Sequence, residues 1–287
     1  MIITGFILNT LSIITFYQPK CGEVGCGIYL LITSIIGQLS LVVFGIKFLY
    51  LLLTQMNNLS TARMNCTVME FLLKFLPTIT HWINAFVSIE RTSMVLSGLK
   101  FKKKSSKTAA KIIIPLIVTF SFITTIHSLF NYHIINDPRI NGRTWCVITF
   151  RNKYLEMYNS IINIMHLVTP FTINLSSAFI IVHSSKIKSI AIHSNYISTL
   201  HQQINAYKHL IISPIVLVLL TLPTLIFAFL FTCITEIKSW QNYLIIIGYF
   251  ISFIPQMATF LIYVLPSTTY MDELKHVLHN VFKIHFF

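Results

Sequence analysis

The stretch CTVMEFLLKFLPTITHWINAFVSIERT, residues 66–92, decides the fold. It opens on Cys66, runs through mostly apolar residues and closes on Glu90-Arg91-Thr92. Cys66 and Arg91 lie 25 positions apart. At helical rise this is about 37 Å, one bilayer with its headgroup margins. A single helix then carries a cysteine at one membrane face and an ion-pairable arginine at the other.

The rest of the chain is of the same kind. Of its 287 residues, 55% are hydrophobic and 10% charged, and the mean hydropathy is +0.74. Long apolar runs nearly free of charge recur, as in a polytopic helical membrane protein. Seven runs are read: about Ile2 to Phe16, Ile28 to Leu53, Cys66 to Leu96, Ile112 to Phe130, Met157 to Val182, Leu210 to Phe231 and Tyr243 to Leu265. The first is short for a span, so either it is tilted among its neighbours or the chain begins upstream. No signal peptide is evident, because the first run follows Met1 without a basic segment. No soluble segment of domain size is left over, and no internal repeat suggests an inverted-repeat transporter.

The formal net charge of +13 does not imply nucleic acid, because the basic residues gather at the edges of apolar runs. Lys100, Lys102, Lys103, Lys104, Lys107 and Lys111 follow the third run as a lysine-rich loop, and Lys186, Lys188 and Lys208 lie between the fifth and sixth. The opposite side holds Arg63, Arg139, Arg143, Arg151, Lys153 and Lys238, offset by Asp137, Glu156 and Glu236. This bias places the N-terminus outside and the C-terminus in the cytoplasm. Asn58-Leu59-Ser60 is then an outer glycan acceptor pattern. Cys66 and Cys146 fall on that same outer side, where an oxidising compartment permits a bridge. Cys21 and Cys26 flank the first inner loop as small inert residues, with palmitoylation as the minor alternative. After the seventh run, Leu274, Val277, Leu278, Val281 and Phe282 repeat at helical spacing between polar residues, which predicts an amphipathic helix on the inner membrane surface over 271–287.

Seven runs, paired outer cysteines and an interfacial tail resemble the rhodopsin-like (class A) family of G-protein-coupled receptors over essentially the whole chain. The residues that carry the resemblance are Cys66, Glu90-Arg91-Thr92, Trp145-Cys146, Pro170, Pro223 and Pro266, with Asn9 in Gly5-Phe6-Ile7-Leu8-Asn9. The resemblance implies an all-α membrane protein: a seven-transmembrane helix bundle over 1–270 followed by the tail helix. It implies a Cys66–Cys146 disulfide and an activation switch drawn from Glu90, Arg91, Pro223, Pro266 and Tyr270. Glu90 beside Arg91 allows a local ion pair whose rupture frees the guanidinium for another helix or a partner. The implied partners are an extracellular peptide or small molecule, a heterotrimeric G protein and membrane lipids, at the plasma membrane.

The sequence also departs from the family. The fourth run has no tryptophan. Leu220-Thr221-Leu222-Pro223 stands for Cys-Trp-x-Pro, and Leu265-Pro266-Ser267-Thr268-Thr269-Tyr270 stands for Asn-Pro-x-x-Tyr, with the tyrosine one residue late. Gly37 or Gln38 stands near the place of the second-run aspartate, so the family's internal sodium site is in doubt.

Charges inside the runs mark a ligand pocket, because charges at that depth are expensive and face the bundle interior. Lys47 lies in the second run, and Glu70 and Lys74 in the third. Glu70 and Lys74 share a helix face at i, i+4 and are expected to pair. Lys47 then lacks an acidic partner and awaits a ligand carboxylate. Enzymatic readings find little support. The histidines show no HxxxH or HExxH spacing for a metal, no paired carboxylates serve proton transfer, and no cofactor is implied. A multi-pass transporter or channel is the alternative, although the charges sit near the faces rather than at the midplane.

Overall fold

A computed structural model describes residues 1–53, 59–136, 144–191, 215–223, 225–226, 247–248 and 250–282. The first run is helix α1 (Ile2–Phe16), and the second is α2 (Gly25–Leu53). The third is preceded by α3 (Leu59–Met64) and comprises one π-helical turn (Asn65–Met69) and α4 (Glu70–Ser97). The fourth is α5 (Lys103–Leu129) and the fifth α6 (Lys153–Ala191). The sixth and seventh runs are described in part: residues 215–223 and 225–226 are helical. The seventh ends in a four-residue helix α7 (Ile254–Met257) and a second π turn, Phe260–Val264. The tail is helix α8 (Thr268–Phe282), three residues ahead of the expected start, with Leu274 buried and Lys275, His276 and His279 exposed. The glycan acceptor Asn58, the residues Asp137, Arg139, Arg143, Lys208, Glu236 and Lys238, and the last five residues lie outside the described set.

Three helices among the described residues are long and apolar enough to cross a membrane by length and composition: Gly25–Tyr50, Lys103–Leu129 and Lys153–Ser184. α4 is as long, at 28 residues or about 42 Å, but carries four charges. It is the axis of the molecule and packs against α2, α5 and α6. Its buried residues Leu76, Ile79, Ile83, Val87, Arg91 and Val95 follow one another at three- and four-residue steps.

Polarity is inverted relative to a soluble bundle. In α5 the buried positions include Ser121, Thr125 and Ser128, each fully enclosed, while Leu116 and Ile123 are more than half exposed. In α2, Thr33, Ser34 and Ser40 are enclosed and Leu39 and Leu49 face out. Small hydroxyl residues let helices approach closely, and several hide their own O–H by donating one turn back, as Thr125 does to the Ser121 carbonyl (2.6 Å) and Ser34 to the Leu30 carbonyl (2.8 Å). An apolar exterior over a polar seam suits hydrocarbon surroundings.

One expectation is corrected. The lysine-rich stretch is not a loop: α5 begins at Lys103, nine residues before the apolar run, because lysine is a good helix former and its ammonium extends to water. The connection is only residues 98–102, turned by Gly98 at φ 52°, a left-handed conformation that glycine adopts without steric cost. A hairpin accompanies the helices. Strands β1 (Tyr132–Asn136) and β2 (Thr144–Ile148) form an antiparallel hairpin with Ile134 opposite Cys146. Its β-branched and aromatic residues fit a half-exposed pleated surface, but the segment is too short to stand out against the apolar runs.

Gly37 marks a close helix approach in the interior. A Cβ there would lie 2.8 Å from the Gln256 carbonyl oxygen and 3.2 Å from Asn9 Nδ2. Backbone cannot yield cheaply, so Gly37→Ala is expected to destabilise by about 1–3 kcal/mol, read as a lower thermal midpoint of the detergent-purified protein.

Candidate functional site

The two ends of the third run hold different chemistry. At the first end, Cys66 and Cys146 form a disulfide with Cα atoms 5.4 Å apart. The π turn carries Cys66, and β2 carries Cys146, so the bond pins the hairpin over the end of the bundle. Tyr132 on β1 shares this neighbourhood: burial, with the Glu70 charge adding, pushes its hydroxyl up to about 12.

The charges below the disulfide pair differently from the sequence expectation. Lys47 Nζ on α2 meets Glu70 Oε1 on α4 at 2.9 Å, so Lys47 has an acidic partner and the i, i+4 pair of Glu70 with Lys74 does not form. The packing of α2 on α4 turns Glu70 toward its neighbour helix. Lys74 instead donates to Asn159 Oδ1 on α6 (3.0 Å), the same oxygen that His127 Nε2 approaches at 3.1 Å. Beyond it lies a cavity of about 170 Å³ lined by Lys74, His81, Asn163, His166 and Phe253 among others.

A second polar relay crosses the same region. Trp82 Nε1 donates to His166 Nδ1 at 2.9 Å, and Thr124 Oγ1 stands 2.8 Å from His166 Nε2. An indole N–H can only donate, so Nδ1 accepts and the ring's proton sits on Nε2, donated to Thr124. Thr124 passes its own hydroxyl hydrogen to the Phe120 carbonyl (2.8 Å). The chain is complete only with neutral His166. Ser88 also bonds between helices, donating to Asn174 Oδ1 at 2.6 Å.

At the other end, Glu90 and Arg91 part company. Glu90 Oε1 accepts the Cys26 N–H (2.9 Å) and the Ser106 hydroxyl (2.5 Å), and Ser106 Oγ accepts the Gly25 N–H (2.9 Å). These are orphan donors of the first turn of α2, so Glu90 and Ser106 cap α2 from two other helices, and the carboxylate meets the positive end of the helix dipole. Gly25 is obligatory: a Cβ would fall 2.6 Å from the Ser106 carbonyl oxygen and 2.7 Å from Glu90 Oε2. The local Glu90–Arg91 ion pair is not among the three ion pairs of the described residues, which are Lys20–Glu273, Lys47–Glu70 and Lys103–Glu23.

Arg91 is 2% exposed, with its guanidinium carbon 4.6 Å from the centre of the Tyr263 ring. The Cys26 thiol neighbours both Arg91 and Tyr270. Tyr270 packs edge-on against Phe16 (5.1 Å), and its burial raises the pKa of its hydroxyl. Arg91 and Tyr270 thus meet through Cys26. Pro223 lies in the helical stretch 215–223, with residues 225–226 helical beyond it, and Pro266 sits in the turn between the second π segment and α8. Cys21 is buried like Cys26, and burial pushes its thiol up to about 11, which keeps it protonated. Cys26 was read only as a small inert residue, and Ser106 and Tyr263 escaped the sequence reading, because nothing in their spacing marks them. Only the Gly-rich run Gly22 to Gly27 hinted at a close approach.

Near Gly37 the interior groups are the Asn9 amide and the Gln256 backbone. The neighbouring side chains Gln38 and Gln256 are neutral, and no group of three or more His, Cys, Asp or Glu gathers among the described residues. Gly37, Gln38, Asn9 and Gln256 bring no carboxylate to the place of the family's internal sodium site, whose aspartate the second run already lacks.

Removing one member of the Lys47–Glu70 pair leaves the other uncompensated at 11% and 30% side-chain exposure. Lys47→Ala is expected to cost about 1–3 kcal/mol and the Lys47→Ala/Glu70→Ala double variant less than the sum, read from thermal midpoints in a double-mutant cycle.

The chain matches a family described as 7 transmembrane receptor (rhodopsin family) over residues 8–263. No curated protein sequence resembles it closely enough to count as a relative. The match spans the disulfide, α4 with Glu90 and Arg91, and Tyr263. The chain is a multi-pass membrane protein and belongs to the rhodopsin family of seven-transmembrane receptors.

Proposed function

We propose that the protein is a plasma-membrane receptor, with its N-terminus outside, that binds an extracellular ligand and activates a heterotrimeric G protein. Residues 1–270 form the receptor domain, and residues 271–287 the cytoplasmic tail helix. The observation that carries this reading is the burial of Arg91 against Tyr263 at the opposite end of α4 from the disulfide. A cation set against a ring face and beside a thiol is held by contacts that a movement between helices can break. That is the bistable element a population shift requires.

The outer cavity beside Lys74 and the Lys47–Glu70 pair is the proposed ligand side. The inner side is the Arg91 end, where α5 begins with Lys103, Lys104 and Lys107. Ligand binding favours an arrangement in which Arg91 leaves Tyr263 and Cys26 and reaches the partner. Glu90 remains the cap of α2, so in this chain it serves as an anchor for the motion and Arg91 as the moving group. Pro223, Pro266 and Tyr270 flank the segments that change.

Arg91→Ala is expected to lose at least tenfold in ligand-stimulated nucleotide exchange on a co-expressed panel of G proteins, with surface expression retained. Full exchange in that variant would overturn the assignment. A desolvated cation–π contact contributes about 2 kcal/mol, a factor of roughly 30 in the resting equilibrium. Tyr263→Leu is therefore expected to raise basal exchange several-fold while Tyr263→Phe, which keeps the ring, leaves it unchanged.

A further inference from the structure

We infer that the cavity beside Lys74 is built for a small organic carboxylate, with the Lys74 ammonium as its counter-charge. This names the ligand chemistry of the receptor site proposed above and rests on that reading only for its consequence in signalling.

Lys47 and Lys74 lie at similar depth, yet their situations are opposite. Lys47 is neutralised by Glu70 at 2.9 Å. Lys74 has as its side-chain partner a neutral amide oxygen, Asn159 Oδ1, already approached by His127. An ammonium offers three N–H donors, and one is used. No ion pair among the described residues includes Lys74. A lysine charge in a helix interior is costly unless a counter-charge or water meets it.

Among its described lining residues the cavity supplies no such counter-charge: the polar ones include His81, Asn163 and His166, and none is acidic. His166 is committed to Trp82 and Thr124 as a neutral ring and adds no negative charge. The walls provided by Leu73, Leu167 and Phe253 are apolar. A cationic end and an apolar body match a carboxylate on a compact hydrocarbon or aromatic skeleton. The volume of about 170 Å³ falls below the roughly 300–1,000 Å³ of pockets for larger ligands, which selects a small molecule over a peptide.

The test uses the purified full-length chain in detergent, with benzoate and its neutral isostere benzamide as probes and thermal midpoint as the binding readout. Benzoate is expected to raise the midpoint at concentrations at least tenfold below those benzamide needs. Lys74→Met, which keeps the length and removes the charge, is expected to bring benzoate to the level of benzamide, while Lys74→Arg keeps the preference. Asn159→Asp places a carboxylate within reach of Lys74 and is expected to abolish the benzoate preference; it decides the matter if Lys74→Met does not fold. No benzoate shift in the wild type, or an undiminished preference in Lys74→Met or Asn159→Asp, overturns the inference. Such a failure leaves the Arg91 exchange test standing, and failure of that test leaves benzoate binding intact.

Discussion

The carboxylate of Glu90 holds three helices at one point. It belongs to α4, accepts a backbone N–H of α2, and accepts a hydroxyl from α5 that itself receives a second backbone N–H of α2. Helix ends leave donors that water ordinarily satisfies. Here they are satisfied inside the protein, and a charged acceptor makes the bonds stronger than neutral ones. Nothing larger than hydrogen is admitted on Gly25. The register of α2, α4 and α5 at the Arg91 end follows from this cluster, and so does the direction in which Arg91 points.

Polar groups in this bundle are placed by what lies between helices. Hydrophobic contact does not favour one helix face over another when lipid is the alternative, so small hydroxyls, amides and paired charges specify the contacts. Lys47–Glu70 joins α2 to α4, Lys74–Asn159 and Trp82–His166 join α4 to α6, and His166–Thr124 joins α6 to α5. α4 takes part in three of these four links, which is why its charges are tolerated in a helix that spans the molecule.

Much of this was legible in the sequence. Run lengths marked the long apolar helices Gly25–Tyr50, Lys103–Leu129 and Lys153–Ser184, and the offset between Cys66 and Arg91 marked the length of the helical third run. What was not legible is partner choice across helices. Spacing along a chain places Glu70 beside Lys74, but the rotation of α4 against α2 decides that Glu70 turns to Lys47. In the same way, adjacency suggested a Glu90–Arg91 pair. Successive helical residues project about 100° apart, and that rotation sends one into a helix terminus and the other onto a tyrosine ring. The hairpin was missed because five-residue strands leave little signal, and the start of α5 because hydropathy registers apolarity, not helicity.

The connection between α1 and α2 has a mechanical role. Lys20 holds Glu273 of α8, and Glu23 holds Lys103 of α5. With the Phe16–Tyr270 ring contact behind them, these straps are individually weak and solvent-screened, but they converge on one short segment between residues 17 and 24. That segment gathers α1, α5 and α8 at one point, and residue 22 within it is open: a side chain there meets no neighbouring atom, so a label would sit on it without disturbing the straps.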